Sequence, residues 1–126
     1  MADRRQFLRY LAATAVGVAT TGCTPGPEYD TASLAQPEVL TMLGAGEVRA
    51  IGQRYRALNP AEGNATAIRN AILRSRPLAA RLGLTHPPLA ALSRDDFEHG
   101  RTVVLNGWIL PVTEARQCAL LSSLST

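Results

Sequence analysis

Apolar residues recur with a helical period over Glu47–Leu58. Val48, Ile51, Tyr55 and Leu58 follow one another at spacings of 3, 4 and 3, which puts them on one stripe of an α-helix. Arg49, Gln53 and Arg56 fall on the opposite face. Gly52 lies beside the stripe, where the lack of a side chain lets another helix come close. Asn59-Pro60 ends the element, since a residue before proline is pushed out of the helical region. Upstream, Pro37 suits a first helical position and Glu38 the positive end of the helix dipole. That predicts a turn or two over Glu38–Leu43, broken at Gly44-Ala45-Gly46, because a glycine inside a helix costs about 1 kcal/mol relative to alanine.

The same period continues after Pro60. Asn64 is placed to cap a helix over Ala65–Arg76 with Ala65, Ile68 and Ile72 facing inward. Arg74 and Arg76 fall in its last turn, where positive charge suits the dipole, and Pro77 stops it. Leu78–Leu82 predicts a short helical segment closed by Gly83, and His86-Pro87-Pro88 a forced extended corner. Leu89–Leu92 reads as helical. Ser93-Arg94-Asp95-Asp96 has the spacing of a capping box, so a separate turn through Phe97 is expected, with His99 at its end and Gly100 as a left-handed stop.

At Arg101 the period changes to two. Asn106-Gly107 stands between two β-favouring runs, Thr102–Leu105 and Trp108–Leu110, and such a pair predicts a hairpin because both turn positions need positive φ. Leu105 is then opposite Trp108, Val104 opposite Ile109, and Val103 opposite Leu110. Val103, Leu105, Trp108 and Leu110 share one face; Thr102, Val104 and Ile109 share the other. Both faces are apolar, and an isolated two-stranded ribbon is only marginally stable, so one must pack on the helices. Thr113 is placed to cap a final helix over Glu114–Leu124. The fold class expected is mainly α with one β-hairpin: a small α+β short-helix bundle, the hairpin near residues 101–111, and a C-terminal helix.

Composition narrows the partners. At 126 residues the chain has room for one domain. Aromatic residues make up only 5%, so the core must be aliphatic. All 13 basic residues are arginine. The formal net charge is +3, but Arg4, Arg5 and Arg9 lie before Cys23 with only Asp3 to offset them, and without that segment the chain is close to neutral. Such a domain has no electrostatic footprint for nucleic acid. Arg69, Arg74, Arg76 and Arg81 fit either contact with anionic lipid headgroups or a plain solvated face.

Candidate chemistry is sparse. Asp95, Asp96, Glu98 and His99 form the one dense polar cluster. Calcium loops space their ligands at alternate positions around a glycine, and zinc needs more nitrogen or sulfur donors at short spacing than His86 can add. A capped helical turn with solvated acids is the expectation. Cys118 lies within an apolar helix, the usual setting of a buried structural thiol; as a nucleophile it would need a base and an electropositive pocket. No nucleophile elbow, paired-cysteine motif, phosphate-gripping loop or haem-attachment motif occurs, and no cofactor or metal is expected. Trp108 is expected to anchor the core, with stacking on a ligand the alternative.

The N-terminal residues carry an address. Asp3-Arg4-Arg5-Gln6-Phe7-Leu8-Arg9 resembles the twin-arginine (Tat) export motif, with Arg4, Arg5, Phe7 and Leu8 in the positions the export machinery reads. It departs from the usual pattern at Asp3 and, mildly, at Arg9. Tyr10–Thr21 has the length of a signal-peptide core and falls short of the roughly 20 apolar residues of a membrane span. Thr20-Thr21-Gly22-Cys23 resembles a lipoprotein signal box, with Cys23 the lipidated residue and Thr20 standing where leucine is usual. Ordinary signal cleavage nearby and a Cys23–Cys118 disulfide are the alternatives. The following stretch to Ser33, with Pro25 and Pro27 and no apolar period, reads as an extended tether. The division expected is a signal peptide over 1–22, a lipidated cysteine and tether over 23–36, and a globular domain over 37–126. The stretch from Asp95 to Leu121 is similar to the tail of small Tat-exported bacterial proteins, some of which accompany periplasmic oxidoreductases. The resemblance implies an exported, lipid-anchored chain that accompanies a redox enzyme, and the doubly apolar hairpin leaves one face free to dock. The first reading is therefore a non-catalytic accessory subunit of a periplasmic or membrane-bound redox complex, docked on a larger cofactor-bearing oxidoreductase through Thr102, Val104 and Ile109. A free-standing envelope lipoprotein whose own helices cover both hairpin faces is the second reading, and a small enzyme using Cys118 or His99 the third.

Overall fold

The computed structural model describes residues 30–124. The first helix, α1, spans Thr31–Leu34, and the Asp30 side chain caps it by accepting the Ser33 N–H at 2.9 Å. The tether expected over 23–36 is therefore corrected at its C-terminal end, where Leu34 and Ala35 are buried in the core. The physical reason is local and distant at once: the Asp30 cap makes a single turn stable enough to present Leu34, and the C-terminal helix receives it.

Helix α2 spans Leu40–Leu58 and is kinked at Gly44, whose φ of 84° and ψ of 161° break the helical path. The interruption expected at Gly44-Ala45-Gly46 is thus carried by Gly44, and the helix resumes behind it. Val48, Ile51 and Tyr55 are buried as the stripe predicts, but Leu58 is 53% exposed. It is the last residue of the helix, and the chain turns away at Asn59 before another element covers it. A 3₁₀ turn over Pro60–Glu62 leads to α3, Ala65–Arg74, where Asn64 accepts the Ala67 N–H at 2.9 Å and Ile68 and Ile72 are buried. Helix α4 is the single turn Leu78–Arg81.

Helix α5 runs unbroken through Leu89–Glu98, with Gly100 at positive φ just beyond it. The capping box expected at Ser93-x-x-Asp96 does not form; Ser93 sits mid-helix, because the chain is already helical from the Pro87-Pro88 corner. Asp96 is spent elsewhere, as described below. Strands β1 (Thr102–Leu105) and β2 (Trp108–Pro111) pair antiparallel in the expected register, with Val103 opposite Leu110, Val104 opposite Ile109 and Leu105 opposite Trp108. Asn106 and Gly107 supply the two positive φ angles, 52° and 87°. Helix α6, Val112–Leu124, follows β2 directly, so Thr113 lies in its first turn rather than capping it.

The architecture is the mainly α bundle with one hairpin that the sequence predicts, and α6 is its axis. Thr113, Glu114, Ala115, Gln117, Cys118, Ala119, Leu120 and Ser122 are all buried on it. Helix α2 packs on α6 most extensively, followed by α3 and α5. A β-carbon built on Gly52 would lie 2.1 Å from the Cys118 carbonyl oxygen and 2.9 Å from the Ala119 Cα. The close helix approach expected at Gly52 is therefore made against the backbone of α6. The far ends are pinned by ions: Arg116 pairs with Glu62 at 2.9 Å, and Glu62 also accepts the Tyr55 hydroxyl at 2.8 Å. Among the described residues no helix is long and apolar enough to cross a membrane.

Candidate functional site

The hairpin splits into a buried and an exposed face. Leu105 and Leu110 are 2% and 3% exposed, while Val104 and Ile109, facing each other on the opposite side, are 66% and 64% exposed. Thr102 is exposed on that same side. The expected division of faces holds, and none of the described elements covers the outer one. Trp108 departs from the expectation of a core anchor: it remains 39% exposed. An indole is large, and the end of a four-residue strand offers it too little cover, so Leu105 and Leu110 anchor the ribbon instead.

The base of the ribbon is clasped by Asp96. Its buried carboxylate accepts the Arg101 Nε–H at 3.0 Å and the Thr113 backbone N–H at 2.8 Å, one partner just before β1 and the other just after β2. The Asp96 carbonyl also accepts the Arg101 backbone N–H at 2.8 Å, and the Arg101 carbonyl that of Val112 at 3.1 Å. Arg101 reaches Asp95 with its other arm. These two carboxylates hold the guanidinium positively charged, Asp96 foremost. A carboxylate on the first turn of α6 also meets the positive end of that helix. The acidic cluster is thus a fastening for the hairpin, with Asp96 buried rather than solvated as expected. Sequence spacing missed this role because the Thr113 partner lies 17 residues ahead.

The remaining candidates fall apart in space. His99 ends α5 on the surface, its Nδ1 2.9 Å from the Asp95 carbonyl oxygen. Cys118 is fully buried, and its thiol is pushed up to about 12, first by burial and then by the charge of Glu114. A sealed, protonated thiol has neither the access nor the electropositive surroundings of a nucleophile. No group of three or more His, Cys, Asp and Glu side chains among the described residues is arranged to hold a metal ion. Arg4, Arg5, Phe7, Leu8 and Cys23 lie outside the described residues.

One polar feature escaped the sequence altogether. Glu114, buried on α6, accepts the Val39 N–H at 2.7 Å and so secures the turn that leads into α2. Burial raises its carboxyl above the usual range, the Val39 hydrogen bond opposes that, and Glu38 adds to it. Both glutamates border an open cleft of about 270 Å³ beside Ser93, Arg94 and Phe97 of α5. The contact spans 75 residues, beyond the reach of any local pattern. Comparison with family models, with curated proteins and with solved structures finds no match.

Proposed function

We propose that this chain is an exported, lipid-anchored, non-catalytic accessory subunit of a periplasmic or membrane-bound redox enzyme complex. Its occupant on the hairpin is a larger, cofactor-bearing oxidoreductase presenting an apolar strip to Thr102, Val104 and Ile109. The observation that carries this reading is the exposed Val104–Ile109 pair on a ribbon whose base is clasped by Asp96. Paired apolar side chains held rigid and left in water are a ready interface, since little conformational entropy remains to be lost on docking. The Tat-like residues Arg4, Arg5, Phe7 and Leu8 support the route. That route carries folded proteins, and a small chain without a cofactor motif can leave bound to a partner that has one.

The test is co-purification from solubilised native membranes. Val104→Glu leaves the monomer within about 0.5 kcal/mol of wild type, as for other surface changes, and keeps its helical circular dichroism. It weakens the complex about a hundredfold or more, because a charge buried in an apolar interface without a partner costs several kcal/mol. A wild-type chain that emerges as a stable monomer with no stoichiometric companion supports the free-standing lipoprotein instead. A partner that travels equally well with the Val104→Glu chain removes the hairpin as the dock.

A further inference from the structure

A second apolar surface lies on the segment after α3. Helix α4 is one turn long and turns Ala80 inward, where it is 2% exposed. At the helical 100° per residue, Leu78 and Leu82 fall on the opposite side, with Arg81 on the flank. Leu78 and Leu82 are 60% and 64% exposed, and Leu84 is 73% exposed just past the turn closed by its own N–H on the Ala79 carbonyl. One exposed leucine requires no explanation. Three within seven residues, on one turn and its exit, are the composition of a contact surface.

Charge identifies what meets it. No Asp or Glu occurs between Glu62 and Asp95, whereas Arg69, Arg74, Arg76, Arg81 and Arg94 all fall in that interval. Arg74, four residues before Leu78, and Arg81, between Leu78 and Leu82, are both exposed. The acids all lie outside this interval, so the near-neutral total conceals a basic stretch of chain around the leucines. Apolar tips that enter the boundary between headgroups and acyl chains, ringed by guanidinium groups that meet phosphate, are the composition of a surface that lies on an anionic bilayer. The entry of the chain agrees. Asp30, which opens the described domain, sits within the electrostatic reach of Arg69 on α3, the helix that ends at Arg74. Cys23 precedes Asp30 by seven residues, a span of at most about 25 Å. If Cys23 bears the lipid, a point that rests on the function proposed above, Asp30 and the neighbouring α3 are held within about 25 Å of the membrane.

We propose that Leu78, Leu82 and Leu84, together with Arg74 and Arg81, form a membrane-contacting face that seats the domain on an anionic lipid bilayer. The test uses the full chain carrying Cys23→Ser, which has no lipid, so that the face is measured apart from the anchor. Binding is read by co-sedimentation with vesicles of equal parts phosphatidylglycerol and phosphatidylcholine, and with phosphatidylcholine alone. The Cys23→Ser chain binds the anionic vesicles and releases with salt. Adding Arg74→Gln and Arg81→Gln weakens that binding about thirtyfold, at the usual contribution of a basic side chain near a charged membrane. Adding Leu78→Ser, Leu82→Ser and Leu84→Ser instead weakens it on both vesicle types by about tenfold or more. These positions are exposed, and circular dichroism verifies that each variant is folded. Equal binding by all three chains assigns the affinity to the N-terminal residues and overturns the face. So does a failure of the Cys23→Ser chain to bind anionic vesicles. Loss of a native protein companion on the arginine changes, with vesicle binding intact, makes the occupant an acidic protein and overturns the bilayer. None of these outcomes depends on whether Cys23 is acylated in the cell.

Discussion

Gly52 shows how much of the packing is decided by one hydrogen atom. The space for its β-carbon is occupied by the Cys118 carbonyl carbon and oxygen, at 2.5 and 2.1 Å, and by the Ala119 Cα at 2.9 Å. These are backbone atoms of α6 and cannot swing aside as a side chain would. Gly52→Ala is therefore expected to force the two longest helices apart and to cost about 3 kcal/mol, the upper part of the usual overpacking range. For a domain of this size that lowers the melting temperature by on the order of 15 °C. Gly46→Ala is the control. It lies in the same helix with nothing within 4 Å of the added carbon, and should stabilise by about 0.4–1 kcal/mol through the unfolded chain. Calorimetry on the pair decides the matter: similar melting temperatures for the two variants mean that α2 and α6 are not in close contact at Gly52.

Among the elements, those with a strong internal period could be read directly, and those held by distant partners could not. Asn106-Gly107 dictates the turn, the turn dictates the register, and the register separates Leu105 and Leu110 from Val104 and Ile109. The stripe on α2 needed nothing beyond its 3.6-residue period. By contrast, Ser93-x-x-Asp96 matches a local cap while Asp96 serves Thr113, and α1 is a core element only because α6 receives Leu34. Glu62 and Arg116 are 54 residues apart. The exposed face of the hairpin was legible because it depends on alternation alone; its fastening was not, because that depends on tertiary contact. The fastening has a measurable consequence. Asp96→Ala removes charge-assisted hydrogen bonds to Arg101 and Thr113 and is expected to cost about 2–3 kcal/mol. Amide exchange at Val112 and Thr113 should accelerate with it. Unchanged exchange there would mean that the strand pairing alone holds the ribbon.

At the scale of the whole molecule, stability rests on α6, and that makes it sensitive to alkali. Cys118 is sealed on α6, and Tyr55 hydrogen-bonds Glu62, which pairs with Arg116 of the same helix. Both acids are neutral when protonated, and burial is the leading reason that each holds its proton more tightly in the folded chain. Cys118 rises from 9.0 to about 12 and Tyr55 from 10.0 to about 12. A raised folded-state value means that the contribution is complete below the unfolded value and is lost as pH climbs toward the folded one. Stability is thus expected to fall from about pH 9 upward, with a slope of about 1.4 kcal/mol per pH unit for each group that sheds its proton on unfolding. Glu114, also raised, acts in the same direction at acid pH, where its contribution is lost as the carboxyl ionises. Urea midpoints followed from neutral pH to the alkaline limit of folding read this directly. Cys118→Ala lowers the midpoint at every pH by the small cavity it leaves, but it removes the thiol's share of the slope. Tyr55→Phe keeps the ring in the core and removes the phenol's share, which enters only above about pH 10. Slopes that match wild type in both variants would mean that neither group is protected, and that α6 opens to solvent well before the rest of the chain unfolds.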